Sequence, residues 1–254
     1  MSVTINNLET SNRKIKQKLG NFSILEFEKD ISVSRENAVT EYYMGQMNIR
    51  KRQIMVTLNG TQSVVVQAKA MQLTTGSVSA TTGIKGVGDL FGKMAKSVVT
   101  KESVIKPEYV GNGVIILEPT YKYIILQDVE TWGATGMAIE DGMFLACDGN
   151  VKHTIIARSN LSSAIAGGEG LFNLCMVGKG IVALESNVPE EELIEFELNN
   201  DTIKIDGNMA IAWTGGLKFT VERSGKSLIG SAASGEGLVN VFSGTGKVLV
   251  SPVK

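Results

Sequence analysis

A chain of 254 residues with 25 basic and 26 acidic side chains has a formal net charge of −1, so no global field exists to hold a polyanion, and nucleic acid is not a favoured partner. With 28 Gly, 4 Pro and 20% charged residues the composition is globular, and a chain of this length can bury roughly three-quarters of its unfolded surface. Apolar runs such as Val114–Leu117 are strand-sized, which excludes a helical membrane span of roughly 20 residues.

From the N-terminus, residues 1–40 read as an extension, polar and basic from Asn12 to Lys18 and strand-like from Phe22 to Phe27. Met1 to Glu9 lacks a basic stretch followed by an apolar one, so no secretory signal is expected, and the expected location is cytoplasmic. Ile54 to Leu58 and Val64 to Gln67 flank Asn59-Gly60, a pair that suits the positive φ of a two-residue turn, so a β-hairpin is expected. Between Gly88 and Val99, Leu90, Phe91, Met94 and Val98 recur at helical spacing behind Asp89 as an N-cap, which predicts a short helix.

A longer pattern then recurs three times: a glutamate, a short strand, Gly-X-Gly and a second short strand. Glu102 precedes Gly111 and Gly113, Glu169 precedes Gly178 and Gly180, and Glu236 precedes Gly244 and Gly246. The glutamates are spaced 169 − 102 = 67 and 236 − 169 = 67 residues apart, the mark of a repeated supersecondary unit that buries its apolar face against its copies. The Gly-X-Gly motifs are expected to reverse the chain, with Gly178 and Gly244 at positive φ. Upstream, Met71 to Val78, Phe144 to Val151 and Ala210 to Leu217 each place an apolar strand before a polar-Gly turn and a new strand, expected as hairpins. Asn199-Asn200 is expected to begin a return into Thr202 to Ile205. The fold class is therefore all-β: three quasi-equivalent units, about 41–125, 126–187 and 188–254, forming one double-stranded β-helix or β-sandwich-like domain over 41–254, with a short helix in the first unit.

Little catalytic chemistry is visible. His153 is the only histidine, too few imidazoles for a cupin-type metal centre, and it reads as an ordinary strand residue; no metal or cofactor is expected. Cys147 and Cys175 sit in apolar strand context and read as small buried hydrophobes. The glycine-rich stretches Gly83 to Lys93 and Gly244 to Lys247 lack the spacing of a phosphate-binding loop. Glu102, Glu169 and Glu236 are the candidate binding residues. Each carboxylate is expected to accept backbone N–H groups of its own turn; the alternative is convergence of all three on a pseudo-threefold axis, where they would bind a cation or a partner's basic group.

Gly167 to Phe172, Gly235 to Leu238 and the three Gly-X-Gly motifs resemble the altered inheritance of mitochondria protein twenty-four family, over Met44 to the C-terminus. That family's fold is similar to the tryptophan RNA-binding attenuation protein. Lys101, Glu102, Ser103 and Pro107 depart from the pattern, because the first unit lacks the glycine pair. The resemblance implies a non-enzymatic structural or interaction protein, self-associating as a homo-oligomer or bound to a protein partner, with peripheral membrane association. The alternative is a small-molecule or nucleic-acid binding module acting as an oligomer. A scaffold should expose an apolar patch or sheet edge, whereas a binding module should show a basic or aromatic groove.

Overall fold

The computed structural model describes residues 3–81, 106–157, 172–223 and 238–253. The extension supplies strands β1 (Arg13–Leu19) and β2 (Phe22–Phe27), an antiparallel hairpin, and then helix α1 (Ala38–Gln46). The first unit holds β3 (Arg52–Val66), β4 (Met71–Thr74), β5 (Ser79–Thr81) and β6 (Glu108–Leu117). The second holds β7 (Tyr123–Asp128), β8 (Met137–Ile139), β9 (Phe144–Asp148), β10 (Lys152–Ala157), β11 (Phe172–Val177) and β12 (Ile181–Ser186). The third holds β13 (Ile194–Asp206), β14 (Ala210–Thr214), β15 (Lys218–Arg223) and β16 (Leu238–Val250). The helix expected between 88 and 99 lies outside the described residues, and α1 was not foreseen.

The fold is all-β, and each unit is a bent three-stranded antiparallel layer. In the first unit β6 runs centrally between β3 on one side and β4 followed by β5 on the other. The third repeats this, with β16 between β13 on one side and β14 and β15 on the other. In the second unit the bend divides the layer between two sheets: β12 lies between β7 and β9 in one, and β11 lies between β10 and β8 in the other.

The Gly-X-Gly motifs therefore bend strands and do not reverse them. Gly178 and Gly244 have φ of 112° and 130°, the positive values expected, but β16 continues through its motif, and at Gly178 to Gly180 the chain passes from one sheet to the other. Asn59-Gly60 is likewise no hairpin. Both halves of β3 pair with β6 in one direction, Leu58 opposite Gly113 and Val64 opposite Tyr109. The Asn59 carboxamide oxygen accepts the Thr61 N–H at 3.1 Å and its hydroxyl at 2.8 Å, which builds a bulge instead of a turnover. Asn200, at φ 51°, bulges β13 in the same way.

The three polar-Gly turns are corners, because the strands they join do not pair with one another. The chain turns tightly there against a neighbour: a Cβ on Gly215 would strike the carbonyl oxygen of Thr135.

Successive units are joined by the same ladder. Val64 faces Asp148 and Val66 faces Ala146 at the first joint; Met137 faces Thr214 and Ile139 faces Ala212 at the second. Flanking bonds repeat as well, Gln67 N–H to the Leu145 carbonyl at 2.8 Å and Glu140 N–H to the Ile211 carbonyl at 3.0 Å. Each joint also closes a core. Ile54, Val56 and Leu58 pack with Ile124, Leu126 and Ile181 of the following unit, and Met137 and Ile139 pack with Ile211 and Leu249. The third core gathers around Trp213, Phe219 and Phe242 and reaches back to Ala138 and Cys175 of the second unit. At the other end, Leu8, Ile15 and Leu25 of the extension pack on the outward side chains Met55, Val114 and Ile116 of the first unit.

Candidate interaction surfaces

Glu102, Glu169 and Glu236 lie outside the described residues. The connections that carry them, 82–105, 158–171 and 224–237, each join two strands whose facing ends are paired: Thr81 with Glu108, Ala157 with Phe172, and Arg223 with Leu238.

Cys147 and Cys175 are both buried free thiols. Cys147 Sγ lies 3.1 Å from His153 Nε2, a pairing that sequence spacing did not reveal because a corner between β9 and β10 brings the two together. Burial, and secondly the Asp148 charge, push the Cys147 thiol well above its ordinary pKa, so it stays protonated at neutral pH and is a poor nucleophile. The imidazole packs edge-on to Phe144, with ring centres 5.3 Å apart. Among the described residues no three His, Cys, Asp or Glu side chains converge in a manner suited to a metal ion.

The densest polar network anchors the extension. Buried Arg52 donates from Nε to Glu26 Oε2 at 2.8 Å and from its two terminal nitrogens to the carbonyls of Arg50 and Asn48, each at 3.1 Å. Its guanidinium lies 4.2 Å from the centre of the Tyr123 ring. Arg50 bridges Glu26 at 3.3 Å and Glu28 at 2.9 Å, and Lys51 pairs with Asp30. The Tyr121 hydroxyl is shared between Glu41 Oε1 at 2.6 Å and Asp30 Oδ2 at 3.1 Å. Burial and those two carboxylates push the Tyr121 phenol up, so it remains a neutral donor.

Burial opposes ionisation of Asp30, but the Lys51 ammonium, Ser32 and Tyr121 together hold its carboxyl well below the usual carboxylate range. A lowered native pKa means that ionised Asp30 stabilises the fold above the unfolded value near 3.8, and that this contribution disappears as pH falls below it. Asp30→Asn is accordingly expected to lower the melting temperature at pH 7, and the gap from wild type should shrink as the pH is taken from about 4 to about 2. Paired thermal melts across that range measure it.

This network holds α1 by its polar side. Glu41 faces Tyr121, and a Cβ on Gly45 would lie 3.6 Å from the Glu28 carbonyl oxygen. The opposite face carries Val39, Tyr42, Tyr43 and Met47, at spacings of three, four and eight residues from Val39, with exposures from 58% to 72%. Ile31 beside them is 80% exposed. A soluble helix ordinarily turns such a stripe inward.

A second surface lies along β13. Counting back from Leu58 opposite Gly113 and Leu198 opposite Gly246, Ile194 and Phe196 occupy the positions of Ile54 and Val56. Ile54 and Val56 are fully buried, whereas Ile194 is 46% and Phe196 39% exposed. Glu190, Glu191 and Glu192 precede them in the chain, Glu195 and Glu197 alternate with them along β13, and Lys247 Nζ meets Glu195 at 3.0 Å.

Residues 46–253 match the family model described as Mitochondrial biogenesis AIM24. The chain belongs to that family. An uncharacterized protein of Streptococcus pyogenes serotype M6 is 27% identical over 205 residues, covering 78% of this chain and 79% of the relative. A Streptococcus pyogenes protein solved by X-ray crystallography is similar at a TM-score of 0.57 and 26% identity, over 82% of this chain and 90% of that one. The AIM24 match begins at Gln46, so β1, β2 and all of α1 before its last residue stand N-terminal to it. Among the described residues no helix is long and apolar enough to cross a membrane.

Proposed function

We propose that this AIM24-family chain acts by contact and not by catalysis, as a β scaffold that presents the apolar face of α1 to a protein partner. The observation that carries this is the orientation of the helix: Glu41 is turned onto the sheet, and Val39, Tyr42, Tyr43 and Met47 are turned away from it. An apolar stripe on a platform pinned by ion pairs is a preformed docking surface, because its ordering is already accomplished before a partner arrives. Cys147, the thiol nearest an imidazole, is held protonated, which supports a non-enzymatic role.

The test uses the full chain with a photo-crosslinking residue at position 43, produced in its native cells, together with a Val39→Ser, Tyr43→Ser, Met47→Ser variant. One discrete crosslinked protein is expected. The triple variant should keep its melting behaviour, since each exposed substitution changes stability by about 0.5 kcal/mol or less, and it should lose the complex in native mass spectrometry. A triple variant that retains every native complex would defeat the reading.

A further inference from the structure

We infer that β1 of one copy pairs antiparallel with β13 of a second copy, in a dimer closed by a two-fold axis. Among the described residues β1 and β13 are end strands of the two sheets, each hydrogen-bonded along one side only. In the first unit the strand position beside Ile54 and Val56 is filled by β2, with Ile24 opposite Ile54 and Phe22 opposite Val56. Among the described residues no strand occupies the same position beside Ile194 and Phe196, and those two side chains are exposed. The missing element is an antiparallel strand with an apolar residue on the inner face.

Charge selects which strand. Two β13 edges brought together would set Glu195 and Glu197 against one another, and like charges across a strand pair repel. On β1 Lys16 and Lys18 are exposed and make no ion pair among the described residues, Lys16 standing at a bulge without a partner on β2, while Leu19 packs partly against the first core. Glu9 accepts the Ile15 N–H at 3.2 Å, so the open stretch begins at Lys16. Antiparallel pairing from there sets Lys16 opposite Glu197, Gln17 opposite Phe196, Lys18 opposite Glu195 and Leu19 opposite Ile194. Both lysines then meet glutamates on one face, and Leu19 meets Ile194 on the other. Lys16, Gln17, Glu190 and Glu191 wall one cleft, so β1 and the approach to β13 share a surface of the molecule. A two-fold axis through that surface completes both pairings at once, and it leaves neither β1 nor β13 open to a further copy.

The test is a charge swap in the full-length protein, read by native mass spectrometry and sedimentation. Wild type should be a dimer. Glu197→Lys alone and Lys16→Glu alone should each weaken it about tenfold in Kd, because like charges then meet at both pairings. An equimolar mixture of the two variants should recover the dimer, since every pairing in the mixed species is again Lys against Glu. Carbodiimide crosslinking of a mixture of unlabelled and isotope-labelled wild type should join Lys16 or Lys18 to Glu195 or Glu197 between copies, a readout that needs no substitution. A monomer at tens of micromolar, a dimer indifferent to both reversals, or no recovery on mixing would overturn the inference. Loss of this dimer with the position-43 crosslink intact would leave the α1 reading standing.

Discussion

Arg52→Ala is expected to fall toward the lower end of about 3–5 kcal/mol, because it removes the nearer partner of a largely buried Glu26 and leaves that carboxylate only the longer Arg50 contact at 3.3 Å. The guanidinium does more than neutralise Glu26: it also caps the Arg50 and Asn48 carbonyls and lies over Tyr123, so the turn between α1 and β3, the hairpin and the start of β7 all depend on it. Arg52→Lys should recover only part of the loss, since an ammonium cannot form the fork that reaches three acceptors at once. A double Arg52→Met, Glu26→Leu variant should be more stable than Arg52→Ala, because no charge is left buried alone. Urea midpoints for the four proteins measure this, and an Arg52→Ala midpoint equal to wild type would show that water reaches Glu26.

Trp213→Ala should cost a similar amount, about 3–5 kcal/mol, through the cavity left by a fully buried indole. Its ring centre lies 5.4 Å from Phe219 and 5.1 Å from Phe242, and those two stack at 4.6 Å, so its ring neighbours are rigid and cannot themselves close over the space. Trp213 also faces Ala138 at the second joint, which extends the damage beyond the third unit. Trp213→Phe should cost much less. The indole Nε1–H is buried without an acceptor among the described residues, and removing such a donor returns part of its desolvation cost, about 1–3 kcal/mol, against the smaller volume. Thermal unfolding of the two variants distinguishes these terms; equal losses would mean that the N–H is satisfied in solution.

Much of the framework was readable before any coordinates. The alternating apolar runs announced an all-β chain, and the glycines at 178 and 244 announced their positive φ. The Gly-Glu-Gly-Leu and Gly-X-Gly motifs pointed to the family that residues 46–253 match. These are local properties, since dihedral preference and strand propensity belong to a residue and its neighbours in the chain.

Direction and burial were another matter. Asn59-Gly60 has the composition of a two-residue hairpin turn, yet β3 runs on through it because both its halves find the same partner, β6, and a distant strand decides whether such a pair folds back or bulges. Val39, Tyr42, Tyr43 and Met47 stand at core-facing spacing, but Glu41 meets Tyr121 and turns them outward. Ile54 and Ile194 begin the same alternation of apolar side chains on equivalent strands. The first is sealed by β2 and packs with Ile124, Leu126 and Ile181, whereas among the described residues no strand pairs along the open edge beside the second; exposure depends on what arrives from elsewhere in the fold and no local pattern encodes that.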